Sequence, residues 1–327
     1  MSGAAAEAAW KDPAFVATAH AWLQDAAAAH AHPLTGPIEQ VHIRPWSTVF
    51  RAPAAGSALF LKACSPVQAH EPRVIELVAR EFPDLVPALI ARHPREPWVL
   101  LGDGGERLRR QLPGAGQLAV WRALLPRYAE LQRALLGRDA ELLDLGLPDR
   151  RLHRIPELLE RVLGDDRSAP PDVRGRVQAL MPAIRRACAT LAELGIGASL
   201  DHDDLHDHNV LLDGARPSII DWGDASLTHP FLTLAVTLQF AAAAGGVPAG
   251  AAEIGALRDA YLEPWAAFGS LAALRRAARI GSALGAITGA LTWYGIITRL
   301  DGVREDEPNE MASMLERIAS AVGALEP

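Results

Sequence analysis

Apolar residues first recur at helical spacing. Phe15, Ala19 and Trp22 mark one face of a helix over about 13–30, and Pro33 to Pro37 breaks it. From about 38 to 63 the period changes. "IEQVHIRPW", "STVFRA" and "SALFLKAC" alternate or are rich in β-formers, with "PAAG" as a turn between the last two. That pattern predicts a small antiparallel sheet. Pro72 to Glu81 predicts a helix with proline at its first position. "PALIARH" and "PWVLLGD" predict two further strands. "GDGG", Gly102 to Gly105, marks a boundary, and Asp103 within it reads as a turn residue. Beyond it helices are predicted over about 117–136, 155–164, 172–194, 231–244, 251–268, 271–298 and 308–324.

One stretch interrupts this helical half. Leu200 to Asp224, "LDHDDLHDHNVLLDGARPSIIDWGD", holds seven aspartates and three histidines beside two short apolar runs. "NVLL" and "SIID" flank "DGARP", whose Asp213-Gly214 pair is a turn signal, so the segment predicts a short hairpin. Antiparallel pairing sets the start of one strand beside the end of the next. Asn209 and Asp221 are therefore expected side by side, with Asp204 in the loop leading in. So much acid near a buried hairpin is unfavourable unless something bound there compensates. Oxygen-bearing side chains of this kind suit Mg²⁺ together with phosphate oxygens and water.

Composition narrows the picture further. A chain of 327 residues is long enough for two lobes, and 50% hydrophobic with 22% charged residues reads as globular. The net charge of −7 argues against nucleic acid as a partner. Cys64 and Cys188 lie far apart in sequence, which fits a reducing, cytoplasmic setting. The N-terminal stretch lacks the basic start and apolar core of a signal peptide. Ile280 to Thr298 carries no charge and repeats glycine at 281, 285 and 289. Its glycines, serine and threonines dilute its apolarity, so a buried helix is expected there rather than a membrane span.

These residues resemble a known family. "HDDLHDHN" fits the pattern His-x-Asp-x-x-x-x-Asn through His202, Asp204 and Asn209, and "IIDWGD" fits the metal-binding segment that comes next, at Asp221. This looks like the aminoglycoside phosphotransferase and choline kinase group, small-molecule relatives of the protein kinases. Upstream, "LFLKA" looks like the N-lobe strand with its lysine, Lys62, and "HEPRVIELVARE" like the helix whose glutamate pairs with it. The resemblance covers roughly residues 40 to 235. It implies an α+β, two-lobed protein-kinase-like fold: an N-lobe over 1–103 with an antiparallel sheet and an extra N-terminal helix, and a mainly helical C-lobe over 104–327. It implies transfer of the γ-phosphate of ATP, or GTP, to a hydroxyl of a small molecule. Asp204 would act on the acceptor hydroxyl. Asn209 and Asp221 would hold Mg²⁺, Lys62 would reach the phosphates and Glu71 would steady Lys62. His202 would be structural, and Trp222 would serve in packing. Phosphoryl transfer needs positioning and charge neutralisation more than covalent help, which such a set supplies.

The chain also departs from that pattern. Asp203 stands where relatives often carry glycine. No Gly-rich phosphate loop is present; "RPWSTVF" stands in its place, where Ser47 and Thr48 are the candidates for phosphate contact. Glu71 precedes Pro72, which disfavours helical geometry at Glu71, so Glu76 rivals it as the partner of Lys62. His229-Pro230 replaces an Asp-Pro step common after the metal-binding segment. Only "WGDASLTH" separates Asp221 from Pro230, too short to dock a substrate peptide, which again points to a small acceptor. Two other readings stand beside the kinase: a metal-dependent phosphohydrolase using the His/Asp cluster 202–208, and a kinase-like nucleotide-binding protein without catalysis. His206 and His208 read as local hydrogen-bonding residues.

Overall fold

The computed structural model describes residues 7–300, 302–303 and 309–325. The chain divides into two compact units. The first holds Met1–Gly105, Asp213–Gly223 and Gly295–Pro308; the second holds Glu106–Leu212, Asp224–Tyr294 and Asn309–Pro327.

The first unit opens with α1 (Pro13–Ala29), started by Asp12, whose Oδ1 accepts from the N–H groups of Ala14 and Phe15 at 2.7 and 3.3 Å. An antiparallel sheet of five strands comes next: β1 (Glu39–Arg44), β2 (Ser47–Ala54), β3 (Ser57–Cys64), β4 (Leu89–Arg92) and β5 (Trp98–Gly102), in the order β1-β2-β3-β5-β4. Side chains alternate across it. Leu59, Leu61 and Ala63 of β3, with Phe50 and Ala52 of β2 and Trp98 and Leu100 of β5, join Ala19 and Leu23 of α1 in one core. Lys62 therefore points to the opposite face, and pairs in register with Val49 and Val99. The sheet and the N-terminal helix agree with the sequence reading. Helix α2 (Glu71–Glu81) starts at Glu71 itself. Proline at the second helical position removes an N–H that the first turn leaves unpaired anyway.

The second unit is built on α3 (Gly116–Ala134), α4 (Asp139–Asp144), α5 (Ile155–Gly164), α6 (Pro171–Ala179) and α7 (Met181–Ala192). The single helix expected over 172–194 is thus two helices. Pro182 cannot donate the hydrogen bond that a continuous helix needs there. Two short pairings come after: β6 (Glu106–Arg107) with β8 (Val210–Asp213), and β7 (Ser199–Asp201) with β10 (Ser226–Thr228). Between β8 and β9 (Arg216–Ile219), in the stretch that belongs to the first unit, Gly214 turns the chain at φ +61°, as the Asp-Gly signal predicts. The rest is α8 (Leu234–Gly245), α9 (Ala252–Leu262), α10 (Leu271–Arg299) and α11 (Glu310–Gly323). The helix expected to run to 268 tightens into a 3₁₀ turn over Glu263–Phe268, where Pro264 ends the α-helical pattern. Pro308, the expected first residue of the last helix, and residues 1–6 of the stretch read for a leader lie outside the described residues.

Helix α10 is long and apolar enough to cross a membrane by length and composition, and half of its most apolar window is buried inside the protein. Its glycines explain part of that packing. A Cβ on Gly281 would sit 2.7–2.9 Å from Phe231, and one on Gly285 would run into the carbonyl of Leu232. Gly289 has nothing of the kind near it.

Candidate active site

The candidate residues fall into two constellations, one in each unit. In the first unit Lys62 reaches off β3 to two carboxylates. Its Nζ lies 2.8 and 2.7 Å from Oε1 and Oε2 of Glu71 and 2.6 Å from Oδ1 of Asp221. Glu71 is fully buried, and its carboxylate also accepts from the N–H of Trp222 at 3.1 Å and the Cys64 thiol at 3.2 Å. Donors from β3 and from the segment at Trp222 thus meet at one buried carboxylate. Burial works against the Lys62 cation, but the Asp221 and Glu71 carboxylates outweigh it and hold the amine above its usual range. Burial raises Glu71 in spite of Lys62. Burial also raises Cys64, which keeps its proton as the donor to Glu71. Asp221 takes the left-handed φ of +68° and leaves 45% of its side chain exposed. Gly223, two residues on, packs so closely on Gln68 that a Cβ would come within 2.5–2.8 Å of its amide. Glu76, the rival partner for Lys62, instead pairs with Arg92 at 2.9 Å. Thr48 is fully buried, and its hydroxyl donates to the carbonyl of His42 at 2.8 Å and accepts from Gln40 at 2.9 Å, so the hydroxyl is not free to donate to a phosphate. Ser47 is buried as well. Asp103 is the turn residue the sequence suggested: it accepts from the N–H of Gly105 at 2.9 Å.

In the second unit β7 runs into the loop that carries Asp204. Helix α3 holds the entry: the Tyr128 hydroxyl accepts from the N–H of His202 at 2.8 Å and donates to Asp201 at 3.2 Å. Gln132 donates to the carbonyl of Leu200 at 3.0 Å. His202 is fully buried, and its Nδ1 accepts from the N–H of Asp204 at 3.3 Å, the structural role expected of it. Asn209 closes the loop, donating through Nδ2 to the carbonyl of Asp204 at 2.9 Å and to its Oδ2 at 3.0 Å. The same Oδ2 lies 3.2 Å from Nε2 of His206. His206 stacks on Phe240 with centroids 4.6 Å apart, and its Nδ1 accepts from the N–H of His208 at 3.1 Å. With Nδ1 accepting, the neutral ring carries its proton on Nε2 and donates it to Asp204. Oδ2 is thus held twice and Oδ1 is left open. Sequence reading placed His206 among local hydrogen-bonding residues but missed that its partner is Asp204. The i, i+2 spacing was the available signal.

His229 explains another departure. It is buried, its pKa is pushed down to about 3 by burial, and its neutral Nδ1 accepts from the N–H of Phe231 at 3.2 Å. It caps the turn at Pro230 as an aspartate would, without placing a charge in the core.

Known structures repeat this architecture. The chain is similar to macrolide 2'-phosphotransferase MphH from Brachybacterium faecium, with a TM-score of 0.57 at 21% identity over 90% of this chain and 97% of that one. It is similar to APH(2")-IIia, solved as a complex with GDP and kanamycin, with 0.57 at 16% identity over 93% and 99%. It is also similar to choline kinase LicA from Streptococcus pneumoniae, with 0.60 at 12% identity over 93% and 99%. At such identities the likeness establishes the fold, that of the protein-kinase-like phosphotransferases. No curated protein matches the chain as a relative. The family is established by sequence instead: residues 14–274 match the profile of the phosphotransferase enzyme family, and the chain belongs to that family.

Proposed function

We propose that this phosphotransferase is a Mg²⁺-dependent kinase that moves the γ-phosphate of ATP or GTP onto a hydroxyl of a small molecule. The observation that carries the reading is the Lys62 ammonium pinned by Glu71 and Asp221. A lysine fixed in this way is a ready-made partner for the α- and β-phosphates, with Glu71 steadying it. Ser47 remains the candidate for a further phosphate contact. Asp204 takes the acceptor proton on Oδ1 as the acceptor oxygen attacks the γ-phosphorus, and the nucleoside diphosphate leaves. Asn209 and Asp221 fit as Mg²⁺ ligands by the chemistry of their donors. Asn209 spends its amide nitrogen on Asp204, which leaves its carbonyl oxygen, and Asp221 offers a half-exposed carboxylate. When bound, Mg²⁺ would neutralise phosphate charge.

The segment between Asp221 and α8 supports a small acceptor. It forms a turn, the three-residue β10 and a second turn, and the residues of the strand and second turn are all buried. That leaves no long loop to dock a peptide. Three similar structures are named for macrolide, kanamycin or choline chemistry, all small hydroxylated molecules. The phosphohydrolase reading is less favoured. Among the described residues no group of three or more His, Cys, Asp or Glu is placed to hold a metal ion, and His202 and His206 are both engaged with Asp204.

The test has two arms. A panel of hydroxylated metabolites and antibiotics with Mg²⁺ and either ATP or GTP should show acceptor-dependent diphosphate release. Label appearing on extract proteins and not on small metabolites would overturn the acceptor class. Calorimetric titration of Mg-nucleotide should lose its signal in Asp221→Ala and weaken in Asn209→Ala. Unchanged affinity in Asp221→Ala would sink the kinase reading.

A further inference from the structure

Within the Asp204 loop, Asp203 is the residue at which a glycine would be conformationally at home. Its φ is +66°, in the left-handed region that costs an L-residue roughly 1–2 kcal/mol. It is also buried, where a lone carboxylate is costly. Both costs are met by a partner distant in sequence. Arg150, itself only 7% exposed at its side chain, forms an ion pair with Asp203 Oδ2. The same Nη1 donates to the carbonyl of Thr288 at 3.0 Å and to Oγ1 of Thr292 at 2.6 Å, both on α10. Ser226 of β10 donates to Asp203 Oδ2 at 3.3 Å. Arg150 is fixed in turn through its backbone. Its N–H donates to Leu227 at 2.9 Å, and its carbonyl accepts from the Thr228 hydroxyl at 2.8 Å. The carboxylate next to Asp204 is therefore gripped by β10, by the segment before α5 and by α10.

We propose that Asp203 and Arg150 are a positioning pair: their buried ion pair locks the left-handed turn at residue 203, aims Asp204, and ties the Asp204 loop to α10. A glycine would permit the left-handed turn but not hold it; the ion pair holds it and adds a link to the long helix that glycine cannot make. Either single variant leaves its partner as an unpaired buried charge, so the single variants lose stability for that reason alone. The informative variant is Asp203→Gly combined with Arg150→Met, which removes both charges and supplies a residue suited to the turn. Mutual neutralisation alone predicts that this double variant regains both thermal midpoint and turnover. Positioning predicts that the midpoint returns near wild type while turnover does not.

The inference rests on the reading of Asp204 as the group that acts on the acceptor. Mg-ATP hydrolysis with water as acceptor is the rate probe, with Asp204→Asn as control. In the double variant the rate should fall about tenfold to a hundredfold, the scale expected of a small misplacement, with KM for Mg-ATP within about twofold. Amide hydrogen exchange provides a readout free of activity. In Arg150→Met the segments over 201–209 and 285–294 should both gain exchange together. Wild-type turnover in the double variant, or exchange that rises in only one of the two segments, overturns the pair. Near-native turnover in Asp204→Asn removes the catalytic reading instead, and the exchange result then decides the pair by itself.

Discussion

Asp204 offers one oxygen, since His206 and Asn209 both engage its Oδ2. An oxygen held from behind and left open in front is suited to receive a hydroxyl proton. We expect Asp204→Asn to lower kcat by about two orders of magnitude or more, the usual scale of a general base, and to leave nucleotide affinity in place. Steady-state kinetics beside calorimetry checks this, and a near-native kcat would remove Asp204 from the mechanism. At this scale the sequence was legible for residue identity and less so for partners. The motif spacing picked out Asp204, Asn209, Asp221 and Lys62. The choice between Glu71 and Glu76 needed the structure. The local rule against helix before proline applies inside a helix, and Glu71 opens one.

At the scale of elements, glycines of α10 differ in what surrounds them although their spacing is uniform. Gly285 lies against Leu232 and within 2.7 Å, at its would-be Cβ, of Ala235. We expect Gly285→Ala to destabilise by about 1–3 kcal/mol through overpacking. Gly289 has open space, so Gly289→Ala should instead stabilise by up to about 1 kcal/mol through helix propensity. Urea unfolding of the two variants tests the opposite signs, and equal effects would mean the close approach does not matter. Strands and helices were largely readable from period and turn residues. The short pairings β6 with β8 and β7 with β10 were not, because two or three residues carry too little pattern to register.

Over the whole molecule, one buried acid should leave a mark on stability. Asp201 is fully buried, and its pKa is pushed up to about 8 by burial and then by the Asp203 charge. Tyr128 donates to its Oδ1, and the Arg150 guanidinium engages Asp203 beside it. The folded protein thus keeps a proton on Asp201 that the unfolded chain releases near the ordinary carboxylate value of 3.8. This contribution is fully present below the unfolded pKa and is lost as pH rises through about 8, at up to ~1.4 kcal/mol per pH unit. Asp201→Asn cannot ionise and keeps an acceptor for Tyr128. Its stability relative to wild type should therefore rise between pH 5 and pH 8.5, on the order of one to a few kcal/mol. A relative stability that stays flat over that range would show that Asp201 is ionised in the folded state. The sequence by itself determined the family, the order of most elements and the residues of the Asp204 loop and of Lys62, because periodicity, turn chemistry and motif spacing are local. Only the tertiary structure decided that Glu71 holds Lys62, that His206 grips Asp204 and that Arg150 answers Asp203. Each of these pairs depends on which side chains burial brings together, and the nearest-neighbour pattern of a chain does not encode a contact made 53 residues away.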